Sequence, residues 1–228
     1  MQEPPITNFD KRDAARELCE CAKKGKPIDV IARVIRLHHE EDAQTKSYLI
    51  EAASFLVTSK HGRSVIPVLA NCMESADFTH RQYAVAGFER YVENGGEISQ
   101  YLELLLKRMR FDMSPNIRTA ASQILVKYAQ QEEAHAITIL NMLPDTDSNG
   151  IGVLRSFCLD NAPSKRKARI ESLVAQLSDK SNDTVLSAMN ELDWYIISGA
   201  KEMVLEAVES SEIPFELAKD IRQRCNSV

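Results

Sequence analysis

Two histidines and three carboxylates stand together at His38-His39-Glu40-Glu41-Asp42, the densest set of potential metal ligands in the chain. On a helix His38 and Asp42 share a face, four positions apart, and could offer two ligands to a cation. Two are too few, and the flanking sequence supplies no obvious third, so the run reads as a polar helix end. Cys19 and Cys21 would project from different sides of a helix, which suits small buried residues or surface thiols better than a metal pair. The sequence contains no phosphate-binding glycine loop and no His-Glu-x-x-His, and its glycines fall mostly where helical segments end, as in Asn94-Gly95-Gly96. These residues give no reason to expect a metal, a cofactor or catalysis.

Two basic clusters remain. Lys107-Arg108-x-Arg110 closes a helical segment, where cations complement the helix dipole without needing a ligand. Lys165-Arg166-Lys167-x-Arg169 opens one, and the dipole gives it no help there. It is either a contact for an anion or acidic partner, or a solvated face. The chain as a whole is acidic, with a formal net charge of -5 and a pI of about 5.6, so no general basic field would draw in nucleic acid or an anionic membrane. Five cysteines without a paired spacing fit a reduced compartment. Met1-Gln2-Glu3-Pro4-Pro5 has neither the basic start nor the apolar run of a signal peptide, and no apolar window approaches bilayer length. The expected location is cytoplasmic, away from membranes.

The elements that position these residues are set by a repeated pattern. In Thr79-His80-Arg81-Gln82-Tyr83-Ala84-Val85-Ala86-Gly87-Phe88-Glu89-Arg90-Tyr91 an Arg precedes an Ala by three positions, a large apolar residue follows that Ala by four, and a Tyr follows by seven. Arg118, Ala121, Leu125 and Tyr128 repeat this spacing, and Ala188, Leu192 and Tyr195 repeat it without the Arg, since Val185 stands in its place. Each stripe lies on one helical face with a small, large, aromatic profile.

An extended lead over residues 1–9 and an N-terminal cap over 10–26, stopped by Gly25, precede the first hairpin. Helix pairs then run over 28–38 and 45–58, 65–74 and 79–92, 98–110 and 115–130, 132–143 and 153–158, and 165–177 and 185–197. Ala52 and Leu56 take the small and large positions of the first pair. Ser114-Pro115 and Asn182-Asp183 read as helix starts. A closing pair over 201–209 and 214–224 has the thinner apolar stripe of a terminal cap. Residues 10–228 are thus expected to form a single domain, irregular near 141–152.

The turn residue, branched residue, Arg, Ala and large apolar residue of Ser114-Pro115-Asn116-Ile117-Arg118-Thr119-Ala120-Ala121-Ser122-Gln123-Ile124-Leu125, and of the copy around Arg81, Ala84 and Phe88, resemble the HEAT repeat. The resemblance spans about residues 28–200 and is strict only in the second and third units. It implies an all-α fold, a right-handed α-solenoid of about five to six HEAT-like helical hairpins with capping helices. In it the Ala lets the helices of a hairpin approach, and the Arg, early in the second helix, reaches carboxylates of the next turn.

What the resemblance implies for function is a non-catalytic protein-binding solenoid, an adaptor or an inhibitor of immunity type. The partner is a protein, a basic one being favoured by the acidic balance. The contact surface is the exposed, concave side of the second helices, where Gln82, Glu89, Thr119, Ser122, Gln123, Asn190 and Asp193 form a polar ladder with Arg155 beside it. Trp194, next to Asp193, completes the set. HEAT-like DNA glycosylases handle alkylated bases with acidic and aromatic residues, which makes Asp193-Trp194 the only plausible centre for that alternative. The acidic balance speaks against it, because duplex binding needs many phosphate contacts. A chromophore lyase on such a scaffold has only fold analogy behind it.

Overall fold

The computed structural model describes residues 8–25, 42–58, 62–144, 150–179 and 181–228, and every regular element among them is helical. In chain order these are α1 (Asn8–Lys23), α2 (Ala43–Leu56), α3 (Gly62–Met73), α4 (Phe78–Glu93), a 3-10 turn (Ser99–Tyr101), α5 (Leu102–Phe111), α6 (Pro115–Gln131), α7 (Glu133–Met142), α8 (Ile151–Asp160), α9 (Pro163–Gln176), α10 (Asn182–Tyr195), a π turn (Ile196–Ala200), α11 (Lys201–Glu209) and α12 (Phe215–Ser227). The expected helix over 28–38, with His38 to Glu41, lies outside the described residues, as do most of the N-terminal lead and the turn over 145–149. The chain divides into two compact units, Met1–Asn161 and Ala162–Val228.

Local chemistry fixes the helix ends. Asp42 caps α2 by accepting from Thr45 N, and Asp77 caps α4 by accepting from Thr79 N and His80 N. Pro115 and Pro163 occupy the first turns of α6 and α9, where a missing N–H costs nothing. Ser114 is the α6 cap residue as expected, although its hydroxyl makes no cap bond and its own N–H donates to Asp112. One cap expectation is corrected. The α10 cap is Ser181, whose hydroxyl accepts from Thr184 N, one residue before the Asn182-Asp183 expected in that role. Helix α3 opens at Gly62 rather than near Val65, so Pro67 lies inside it. Gly95, with φ 73°, turns the chain after α4.

In the first unit the second helices form a row in which α1 packs on α2, α2 on α4, α4 on α6 and α6 on α8. Helix α3 rests on α2 and α4, α5 on α6, and α7 on α6 and α8. The repeated stripe is what the row buries: Ala84, Phe88, Ala121, Leu125 and Tyr128 are all inside. Gly87 lets α2, α3 and α4 approach closely, since a Cβ there would meet Leu69 Cδ1 at 2.4 Å and Ser54 Cα at 3.1 Å. The expected N-terminal cap turns out to carry the same stripe. Arg12, Ala15, Cys19 and Ala22 keep the Arg, small, large, aromatic spacing with small residues throughout, and the last three are buried against the row. Counted from the cap Asp42, Leu49 and Ala53 stand where Ala84 and Phe88 stand in α4, so the register of α2 differs from the expected Ala52 and Leu56 and its small and large positions are exchanged.

The Arg of the pattern performs the expected task twice. Arg81 donates from Nε and a terminal nitrogen to both oxygens of Asp112 in the next hairpin's turn, at 2.9 and 3.1 Å, and also caps the carbonyls of Ser75 and Ala76. Arg12 makes the same forked contact, from Nε and a terminal nitrogen, with Asp42, 30 residues on. Arg118 donates to the carbonyls of Asp112 and Met113.

In the second unit α9 packs on α10 and α11, and α11 on α12. Ala188, Leu192 and Tyr195 are buried as the stripe requires. Gly199, with φ 87°, sits in the π turn that leads into α11.

Candidate protein-binding surface

None of the nine residues singled out in the sequence is buried: Gln82, Thr119, Gln123, Asn190 and Trp194 are exposed, and Glu89, Ser122, Arg155 and Asp193 half-buried. Their outward placement follows from the stripe, which takes the opposite face of each helix into the core. Gln82 and Thr119 sit at the fifth position after their caps, Asp77 and Ser114, and Gln123 and Asn190 at the ninth after Ser114 and Ser181. Six of the nine, from Gln82 to Arg155, belong to the first unit, and Asn190, Asp193 and Trp194 to the second.

The charged members are not free. Lys127 of α6 donates to Glu89 at 2.7 Å and also pairs with Glu93. Lys23 of α1 reaches Glu51 of α2 at 3.0 Å, and Arg90 of α4 lies 4.0 Å above the Phe55 ring while bonding Ser54. Arg155 bonds the Pro144 carbonyl. In the second unit Arg224 of α12 holds Asp193 of α10 at 2.5 Å. The polar ladder is therefore in large part a set of rungs between consecutive second helices.

What α10 adds is apolar. Leu186, Asn190 and Asp193 rise along one face of α10 at spacings of four and three, Trp194 borders it, and Ile197 follows Asp193 by four in the π turn. Leu186 is 62% exposed, Ile197 71% and Trp194 39%, Trp194 meeting the Tyr195 ring edge-on with centroids 5.0 Å apart. Leu186 and Ile197 fall outside the expected ladder, whose residues are all polar but Trp194. The signal was there: Leu186 is fifth after its cap, the position of Gln82 and Thr119.

The other candidate chemistries resolve into structure. Asp42 is the α2 cap, its oxygens taken by Arg12, Thr45 N and Thr45 Oγ1, and the bonds from Arg12 and Thr45 hold its carboxyl well below the usual range. Cys19 is buried, and burial foremost pushes its thiol up to about 12; Cys21 is half-buried. Among the described residues no group of three or more His, Cys, Asp or Glu could hold a metal ion. Lys107 and Arg108 both pair with Glu74, and Arg108 also reaches Asp112. The second basic cluster is neither an idle solvated face nor a free anion contact: Lys167 pairs with Glu206, Arg169 with Glu191, and Arg166 bonds Ser198 and lies over the Tyr195 ring.

No protein-family model matches the chain, and no curated protein matches it in sequence. Among solved structures it is similar to an engineered protein, at 15% identity over 97% of this chain and 92% of that one with a TM-score of 0.43. A designed armadillo repeat protein is similar at 14% identity over 99% of this chain and 95% of that one, with a TM-score of 0.42. The chain is an all-helical repeat protein, as the stacking of its own hairpins and the recurrence of its stripe define. No described helix is long and apolar enough to cross a membrane.

Proposed function

We propose that this protein is a non-catalytic binding module, an adaptor or inhibitor, that engages a protein partner through the exposed side of its second helices. The observation that carries this reading is the face of α10 and the π turn after it, where Leu186, Trp194 and Ile197 are exposed beside Asn190 and Asp193. Large apolar side chains rimmed by polar ones are the composition of a protein contact, and tryptophan is over-represented among residues that dominate binding energy. Gln82, Glu89, Thr119, Ser122, Gln123 and Arg155 supply adaptable polar contacts in the same reading.

The alternative, a nucleic-acid-processing enzyme centred on Asp193, needs that carboxylate to meet a substrate, and Arg224 already neutralises it. The test is co-purification from the protein's own cells with the wild-type chain and with Trp194→Ala, each checked for native helicity. The reading expects a stoichiometric protein that is lost with Trp194→Ala. Retention of that protein by the variant, or nucleic acid in its place, would count against it.

A further inference from the structure

The turn from α5 to α6 is held by a carboxylate turned inward. Asp112 is buried, bonded by Arg81 and by Ser114 N, so its two neighbours must face out: Phe111 is 62% exposed and Met113 92%. The other carboxylates on this edge are occupied. Glu74 pairs with Lys107 and Arg108, and Asp77 caps α4. The cations are not all matched in return. Arg110 lies 4.6 Å from the Phe111 ring centre with a buried Nε that makes no hydrogen bond. Arg118 donates only to the Asp112 and Met113 carbonyls, and among the described residues no carboxylate pairs with either arginine.

We propose that this turn edge is a second docking surface, for an acidic peptide segment carrying apolar side chains. Phe111 and Met113 offer the apolar contact, Met113 with the unbranched, polarizable side chain common at adaptable peptide sites. Arg110 and Arg118 offer planar donors matched to carboxylates, Arg110 already oriented by its ring. Charge favours peptide over nucleic acid here, because two unmatched guanidinium groups on a chain of net charge -5 are few for a phosphate backbone. The surface lies wholly in the first unit and does not depend on α10.

The test is a chemical-shift titration of the isotope-labelled full chain with an acetylated, amidated peptide of Asp and Glu interrupted by Leu and Phe. A Lys/Leu/Phe peptide, an Asp/Glu peptide without apolar residues and single-stranded oligothymidylate are the comparisons. The expected result is saturable shifts confined to the turn over 110–118, weakened about tenfold by Met113→Ser and likewise by Arg110→Gln, and unchanged by Trp194→Ala. Absence of saturable shifts, shifts centred elsewhere, equal binding of the Lys peptide or the oligonucleotide, or indifference to Met113→Ser would each overturn the proposal. Concentration-dependent self-association through the same residues would overturn it too, by making a second copy the occupant.

Discussion

Arg81 and Asp112 form the one fully turned-in ion pair whose both partners are buried among the described residues, and their energetics are asymmetric. Burial alone would raise the Asp112 carboxyl, but the bonds from Arg81 and Ser114 N and the charges of Arg81 and Arg108 more than offset it and hold it below the usual range. Removing one partner leaves the other charged and dry, so Asp112→Ala is expected to cost about 3 kcal/mol of stability in urea unfolding. Replacing both residues with aliphatic ones should cost less than Asp112→Ala alone. Thiol chemistry offers a second check at this scale. Burial pushes Cys72 up to about 11 and Cys158 up to about 12, with Cys19 also at about 12, so iodoacetamide should label Cys21 first. Mass spectrometry of the alkylated peptides reads the order, and rapid labelling of Cys19 in the folded chain would contradict the placement of α1 on α2.

At the scale of the element, helix positions were legible because caps, glycines and the Arg-Ala-large-Tyr stripe are local signals. Ala188, Leu192 and Tyr195 lie one turn above another as the spacing required. What was not legible depended on which helix packs on which. Arg12 and Ala15 carry the stripe of α1 in reduced form, with Cys19 and Ala22 in place of large and aromatic residues, so the cap hid a repeat-like helix. The polar ladder was legible as exposure but not as chemistry, because Lys127 on Glu89 and Arg224 on Asp193 are contacts 38 and 31 residues apart. Gly87 is another packing requirement that sequence spacing does not reveal. Gly87→Ala gains helix propensity yet must displace Leu69 and Ser54, and the net expected cost is about 2 kcal/mol by thermal unfolding. No loss of stability would mean that α2 and α4 can separate at that point without cost.

Across the whole molecule, acid sensitivity follows from carboxylates that the fold prefers ionised. The bonds from Arg12 and Thr45 lower Asp42. Asp77 and Glu97 are held below their usual range although burial opposes it, Asp77 by the backbone of Thr79 and Glu97 by the hydroxyl of Tyr128. A folded value below the unfolded one means stability fully present above about pH 4 and lost as pH falls through the lower folded values. Unfolding free energy should therefore be level from neutral pH to about pH 5 and drop steeply below about pH 4, and a chain equally stable at pH 3 and pH 7 would contradict these assignments.

The claim that reaches furthest is that the exposed face of α10 is a protein contact. Amide hydrogen exchange of the chain, alone and with the protein that co-purifies with it, tests this most directly. Slowed exchange over residues 181–200 is expected when the wild-type chain is mixed with that protein, and no slowing when the Trp194→Ala chain is mixed with it. A complex that forms while residues 181–200 exchange as in the free chain would contradict it.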